Sequence, residues 1–232
     1  MVNLDNNINL IYNSINLFRN KHSCDAYCSL IIDDVHDYLK TSKDENEFIL
    51  AVIALQKYRG FDDFFKTRIN SKRRNQYRKA IKEGYYTRVV EPEERNRRRE
   101  ELYSINTSTD ERQGKMSEEY SLYPEEVHKY ECEYHFHKTY GVFTSDNKWI
   151  GYMYPRYCGA IVRTFRILGH AKYFGNINFM LLLVFDFIKD LYINSPNVHY
   201  YMYHVMSSGN EGLQKWKKDA GFDSARFTGE IT

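Results

Sequence analysis

The sequence lacks the features that mark secreted and membrane proteins. It has only four cysteines in 232 residues, and no basic segment followed by an apolar run opens it, so we predict neither disulfides nor a secretion signal. No apolar run is long enough to span a bilayer. Lys and Arg total 33 against 31 Asp and Glu, a net charge of +2, which by itself favours neither nucleic acid nor a membrane as partner. We expect a cytoplasmic protein without membrane insertion.

Common catalytic motifs are missing as well. There is no Gly-x-Ser-x-Gly elbow, and no cysteine opens a helix as a nucleophile would. His135 and His137 share one face of a predicted strand, but no second ligand pair accompanies them, so no metal site is predicted. Abundant residues are more informative. Aromatic residues reach 16%, with 21 Tyr, which is typical of an ordered globular protein with polar pockets.

The stretch 159–222 predicts a strand, a turn, a helix and a second strand, which together form a βαβ unit. Gly169 and Gly175 supply the turn. The helix that follows is apolar on almost every side, so we expect it to be buried against a sheet. Its amino end is a favourable position for a phosphate group. Beyond the second strand, Asn210 opens a helix that Gly221 ends.

The remaining chain divides into helical and strand-like segments. Helices are predicted between residues 6 and 57, where they would pack on the sheet edge or form a contact in a homodimer. A basic helix over 71–83, a strand to residue 90 and a charged helix over 91–106 follow. Residues 130–168 predict three antiparallel strands, with turns at 144–147 and 155–159.

These elements resemble the second half of the GNAT fold of acyl-coenzyme A-dependent N-acyltransferases. The sequences ILGH, MYH and GLxxxKxxAGF, with RRNQYRKAIKEGY and INTSTDERQGKM upstream, are similar more particularly to a GNAT/FemAB-like group associated with surface-polysaccharide gene sets. The resemblance covers about two thirds of the chain. It implies an α/β (α+β) fold with a mixed, mostly antiparallel sheet flanked by helices. The helical region would be residues 1–70, and the acyltransferase domain residues 71–232.

The resemblance implies transfer of an acyl group from acetyl-CoA, or another acyl-CoA, to an amine of a sugar, a nucleotide-sugar or another small polar acceptor. Since imidazole titrates near neutral pH, His170 and His204 are candidates for the base, and Tyr203 is a candidate for the acid. The predicted cofactor-binding residues are Ile167, Leu168, Gly169, Lys172, Gly175, Asn176, Ile177, Asn178 and Asn210. The usual phosphate-loop pattern, Gln/Arg-x-x-Gly-x-Gly/Ala, keeps only its first glycine here, at Gly175.

The loop over 105–124 is the candidate for acceptor binding, because it places a bidentate donor, an amide and a glycine side by side. An ordinary connection between elements is the alternative. The predicted substrate-binding residues are Ser108, Asp110, Arg112, Gln113 and Met116.

Other functions remain open at this point. A FemAB-like enzyme would take an aminoacyl group from aminoacyl-tRNA, and a further variant would acylate a base in DNA. A non-catalytic module that binds nucleic acid or a protein is the alternative from another class, and the altered phosphate loop favours it. In these cases Arg73, Arg74 and Arg78 of the basic helix would contact nucleic acid, whereas a solvated basic face is the simpler interpretation of that helix.

Overall fold

The computed structural model describes residues 50–112, 114–128, 132, 135–175, 177–206 and 209–225. The strands are β1 (Leu50–Ala54), β2 (Tyr86–Val90), β3 (His135–His137), β4 (Thr139–Phe143), β5 (Trp149–Cys158), β6 (Ile161–Gly169), β7 (Tyr200–Val205) and β8 (Asp223–Ala225). The helices are α1 (Phe61–Thr67), α2 (Ser71–Lys82), α3 (Pro92–Arg97), α4 (Arg99–Asn106), α5 (Phe179–Asn194) and α6 (Glu211–Asp219). None of these helices combines the length and hydrophobicity needed to cross a membrane.

The strands form one mixed sheet in the order β2-β4-β5-β6-β7-β1-β8, and β3 pairs with the far end of β5. Strands β6 and β7 are parallel, and the other pairs are antiparallel. The parallel pairing runs only from Ile161 opposite Tyr200 to Arg163 opposite Met202. Past this point the described parts of the two strands are no longer paired. The predicted fold class, a mostly antiparallel mixed sheet flanked by helices, is confirmed.

Helix α5 packs across one face of the sheet, as predicted from its apolar sequence. Residues 179–185 are all buried, and α1 and α2 lie beside the helix. Each fully buried Leu or Phe contributes about 1.5–3 kcal/mol relative to an exposed one. The acidic residue in its middle, Asp186, is satisfied because Tyr77 and Thr87 each donate a hydrogen bond to its carboxylate at 2.6 Å.

The opposite face of the sheet carries a smaller core under α4. Leu102 and Ile105 of α4 pack there against Trp149, Tyr152 and Leu168 of the sheet. Alternate residues of β5 point to opposite faces, so Tyr152 belongs to this core and its neighbour Met153 to the core under α5. The end of β6 is therefore held between two layers.

The predicted helix ending at residue 57 is wrong for Leu50–Ala54, which form β1 between β7 and β8. All five residues are buried. A short apolar run of this kind fits a buried strand and a buried helix equally well, and only the partner strands decide between them. The sheet thus begins before residue 71, where the predicted domain starts. Residues 1–49, the rest of the predicted helical region, lie outside the described residues.

Two other local predictions need correction. The charged helix predicted over 91–106 is two helices, because the backbone at Arg98 leaves the helical range, with φ −103° and ψ 25°. The three predicted strands are four, since β3 is separate from β4. Pro155 lies inside β5 at an irregularity in its pairing with β6, and the turn is confined to Gly159 and Ala160. The hairpin turn at Asn147, with φ 62°, is confirmed.

Candidate functional site

The main cavity opens where β6 and β7 separate and has a volume of about 920 Å³. Its wall is formed by the end of β6, the turn before α5 with Met180 of that helix, Tyr203 of β7, Asn210 and α6, the loop around 109–120, and Gln76 of α2. Its size falls within the range usual for small-molecule and cofactor sites. The cavity therefore forms where the two parallel strands separate.

The cavity gathers most of the predicted cofactor-binding residues. Ile167, Leu168, Gly169, Gly175, Ile177, Asn178 and Asn210 all line it. Lys172 does not line it, and Asn176 lies outside the described residues. No bound group tests these assignments, so they stay predictions.

Gly169 and Gly175 differ in whether a larger side chain would fit in their place. At Gly169 a Cβ atom would lie 2.7 Å from the sulfur of Met180, because the end of β6 runs close against the start of α5. At Gly175 a Cβ atom would meet nothing within 4 Å, so the turn is open towards the cavity. Asn178 accepts a hydrogen bond from the amide of Leu181 at 3.1 Å and caps α5.

Tyr203 is the one predicted catalytic residue that lines the cavity. Its ring packs against Trp216 and Phe222, with ring centroids 5.7 and 5.8 Å apart. Burial raises the pKa of its phenol to about 12. The hydroxyl is thus protonated at neutral pH and can act as a donor, which is the role predicted for it.

Neither predicted base lines the cavity. The Nδ1 atom of His170 accepts a hydrogen bond from the amide of Lys172 at 3.2 Å, and its Nε2 atom lies 3.3 Å from the Ser104 hydroxyl. Burial, with the nearby charges of Lys148 and Arg112, lowers the pKa of His170. Its side chain caps a short 3₁₀ turn over residues 171–173. It therefore acts here as a structural cap, and its assignment as a base stays a prediction.

His204 is next to Tyr203 on β7, so the two side chains point to opposite faces of the sheet. It is exposed at one side, while partial desolvation on the protein side, together with the charges of Arg163 and Lys217, lowers the pKa of its imidazole. The structure thus brings the predicted acid to the cavity without either predicted histidine.

Of the predicted substrate-binding residues of the acceptor loop, Arg112 and Met116 line the cavity. Ser108 fixes this loop from behind: its hydroxyl donates to Ile105 O at 2.8 Å and accepts from the amide of Ala171 at 3.0 Å. The same hydroxyl accepts a hydrogen bond from Arg112 Nη2 at 3.1 Å. Ser108 therefore positions Arg112 and also connects the loop to the end of β6.

Arg112 keeps an unused donor at the cavity wall. Its Nε atom is buried with no hydrogen-bond partner, and burial lowers the pKa of its guanidinium. Asp110 accepts a backbone hydrogen bond from Met116 at 2.9 Å and does not line the cavity. Gln113 lies outside the described residues.

Lys217, the lysine of GLxxxKxxAGF, lies beneath the site, and the sequence did not assign it a role there. It is 0% exposed, its Nζ atom donates to the carbonyl of Val205 at 2.5 Å, and it lies 5.5 Å from the centroid of the Tyr203 ring. Burial lowers its pKa to about 8. Helical spacing indicates that Lys217 is buried, because it falls on the same face of α6 as Leu213 and Ala220.

Two of the three arginines predicted to contact nucleic acid are used inside the protein. Arg73 pairs with Asp219 of α6 at 2.5 Å. Arg74 donates to the carbonyls of Lys66 and Ile69 at the end of α1. Arg78 is exposed, with one hydrogen bond to Asn75 at 3.3 Å. The exposed side of this basic helix is therefore smaller than its sequence indicates.

In the described ranges, no group of three or more His, Cys, Asp or Glu side chains is arranged to hold a metal ion.

No protein-family model and no curated protein sequence matches the chain. Solved structures do match it. One is the crystal structure of FemX, with a TM-score of 0.54, 9% identity and coverage of 78% of this chain and 61% of that one. A second is the C-terminal domain of a proposed lysylphosphatidylglycerol synthetase from Agrobacterium fabrum, with a TM-score of 0.50 and 11% identity. The match covers 76% of this chain and 58% of that one. A third is the structure of L-PGS from Bacillus licheniformis, with a TM-score of 0.49 and 12% identity. The match covers 76% of this chain and 57% of that one.

The likeness is one of fold, because sequence identity is so low. The chain spans about six tenths of the length of these proteins. The FemX structure and the Agrobacterium fabrum domain thus confirm, at the level of the fold, the resemblance that the sequence showed.

Proposed function

We propose that this protein is an acyltransferase whose donor carbonyl binds in the opening between β6 and β7. The observation that carries the proposal is the end of the parallel pairing at Arg163 and Met202, directly before the cavity. Beyond that point, N–H groups of β6 that face the opening lack a neighbouring strand. Such preorganised donors can stabilise the oxyanion that forms when an amine attacks the carbonyl.

Tyr203 supplies the second group that the reaction needs. The amine nitrogen forms a bond to the carbonyl carbon and loses a proton, and the bond from that carbon to the leaving group breaks. The protonated phenol of Tyr203 then donates to the leaving thiolate or alkoxide. We assign removal of the amine proton to Glu111, because it is the carboxylate in the described lining of the cavity.

Acyl-CoA is the donor that we propose. Ile167, Ile177 and Met180 form an apolar wall suited to an acyl chain and the arm of the cofactor. The turn at Gly175 and the amino end of α5 would hold the pyrophosphate, because backbone N–H groups and the helix dipole favour anions. The acceptor would be a small polar amine held near Arg112.

One observation favours aminoacyl-tRNA as the donor instead. The amide of Leu181, a donor that a pyrophosphate could use, is already bound by the Asn178 side chain. The phosphate-loop pattern also keeps only Gly175. An ester-linked aminoacyl group would need the opening between the strands and Tyr203, but not a pyrophosphate site.

Calorimetric titration with acetyl-CoA distinguishes the two donors. We expect micromolar binding by the wild type, retention of binding in Gly175→Ala, and its loss in Gly175→Glu, which places charge in the open turn without a steric clash. Absence of binding by the wild type would contradict the acyl-CoA proposal. Transfer of a labelled amino acid from charged tRNA would then be the next measurement.

A further inference from the structure

A second cavity, of about 420 Å³, lies beside the first. Arg166 lines the second cavity and Tyr120 lines the first. The guanidinium carbon of Arg166 is 4.4 Å from the centroid of the Tyr120 ring, so this stacked pair separates the two spaces. The proposed acyl transfer does not use the second cavity.

Arg95 is an unusual residue in the wall of this cavity. It is only 6% exposed. Its Nη1 atom donates to the carbonyl of Glu125 at 2.6 Å and to Asn96 at 3.3 Å. Its Nε atom is buried with no hydrogen-bond partner. The guanidinium also hydrogen-bonds the phenol of Tyr154, another residue of the wall, so Arg95 is a buried cation fixed in the wall of the cavity.

The buried part of the cavity is positively charged. Arg156 and Arg166 line it together with Arg95. His137 lies among them, and its pKa is lowered to about 4 by burial and by the charges of Arg156 and Arg95, so its imidazole is neutral at physiological pH.

The acidic side chains of the cavity lie at its rim. Glu119 is 55% exposed and pairs with Arg166 at 3.1 Å. Glu126 is 58% exposed and pairs with Arg99 at 3.0 Å, and Glu125 is also exposed. Among the described residues, positive charge therefore lies in the buried part of the cavity and negative charge lies at its mouth.

The rim also exposes large apolar side chains. Leu122, Tyr123 and Phe165 are 66%, 47% and 42% exposed, and all three line the cavity. Arg156 stacks on Phe165, with its guanidinium carbon 3.5 Å from the ring centroid. Apolar side chains gathered at the mouth of a charged cavity are typical of ligand sites.

We propose that this second cavity binds a phosphate ester. Phosphate oxygens accept hydrogen bonds from the guanidinium groups that line it, those of Arg95, Arg156 and Arg166, and the apolar part of the ester packs on Phe165 and Tyr123. Phosphate suits the site better than a carboxylate because it offers more acceptor oxygens to several guanidinium groups.

Calorimetry with phenyl phosphate tests the proposal. We expect binding to the wild type, weaker binding of inorganic phosphate, and none of phenol. Arg95→Gln should weaken binding about tenfold or more, because it removes a charge-assisted hydrogen bond. Arg97→Gln is the matched control, since Arg97 is exposed on the same helix and does not line the cavity, and it should bind as the wild type does.

Two exposed positions keep the test valid if Arg95→Gln does not fold. Phe165→Ala should weaken binding of phenyl phosphate but leave inorganic phosphate unchanged. Glu119→Gln frees Arg166 from its carboxylate and should tighten both ligands severalfold, an effect that a purely structural residue would not produce. Failure of the wild type to bind phenyl phosphate, or equal binding by wild type, Arg95→Gln and Phe165→Ala, would overturn the proposal.

Further titrations identify the source of the ester. Binding of uridine monophosphate indicates a nucleotide. Binding to phosphatidylcholine vesicles only when they contain phosphatidylglycerol indicates a lipid headgroup, provided that Arg95→Gln abolishes it. Either result supports a phosphate-ester site, and failure of both ligands together with phenyl phosphate rejects it.

Discussion

The two halves of strand β6 have opposite properties. Residues 161–164 are buried, and the first three of them pair with β7. The Thr164 hydroxyl lies 2.8 Å from that of Tyr201 and closes this half with a buried hydrogen bond. Residues 167–169 have no pairing with β7 and line the main cavity instead. A single strand therefore contributes to the core at one end and to a binding site at the other, so stability and binding can be changed separately.

Tyr203→Phe should give the largest effect, on the open half. We expect turnover in acyl transfer to fall about 100-fold or more, because a positioned proton donor is lost. The packing of the ring on Trp216 and Phe222 is kept, so the free energy of unfolding should change little. Steady-state kinetics and chemical denaturation measure the two quantities. Unchanged turnover in a folded variant would remove Tyr203 from the mechanism.

Tyr201→Phe is the counterpart in the closed half. It leaves the Thr164 hydroxyl without this partner and should cost about 1–3 kcal/mol in the free energy of unfolding. Donor binding should not change, because Tyr201 is fully buried and does not line the cavity. Urea unfolding and calorimetry of the same variant test whether stability changes without a change in donor binding. A loss of binding without a loss of stability would contradict it.

Local sequence patterns were sufficient to predict the unit that forms the cavity. The order β6, α5, β7 and α6 followed from hydrophobic periodicity, and Asn210 and Gly221 marked the ends of α6. The structure confirms both ends: Asn210 accepts from the amide of Leu213 at 3.0 Å, and Gly221 has φ 101°. Because consecutive elements of a βαβ unit have a fixed arrangement, residues 167–178 and Tyr203 could be expected near one another.

Features that depend on distant parts of the chain could not be predicted in this way. The strand β1 is defined by its pairing with β7 and β8, more than 140 positions later in the sequence. The cap formed by His170 depends on local hydrogen bonds and on Ser104 of α4. In contrast, strand alternation alone shows that Tyr203 and His204 cannot both face the cavity.

The pH dependence of stability should reveal Lys217 beneath the site. Its pKa falls from 10.5 to about 8 on folding, so between these values the unfolded state binds a proton that the folded state has lost. Stability due to this group therefore rises with pH across this window. Lys217→Met should remove that rise, a difference of about 1 kcal/mol after allowance for screening. Denaturation at pH 7.5 and 10, as approximate limits of the window, measures it.

Lys218→Met provides the control for that measurement, because Lys218 is exposed on the same helix. Subtracting the two variants cancels the titration of the many tyrosines. Parallel stability curves for Lys217→Met and Lys218→Met would show that Lys217 keeps an ordinary pKa in the folded protein.

The smallest expected effect concerns the basic helix α2, which connects the closed core to the cavity. Arg73 pairs with Asp219 of α6, and both side chains are less than one fifth exposed, at 16% and 17%. Gln76, which lines the cavity, accepts a second hydrogen bond from Arg73 at 2.6 Å. Arg73→Gln should therefore cost about 1 kcal/mol in unfolding free energy, whereas Arg78→Gln, on the exposed side, should cost nothing measurable. A larger loss of unfolding free energy in Arg78→Gln than in Arg73→Gln would mean that α2 is held by its exposed charges. RNA binding that depends steeply on salt and is lost in Arg78→Gln would show that the exposed face binds a ligand.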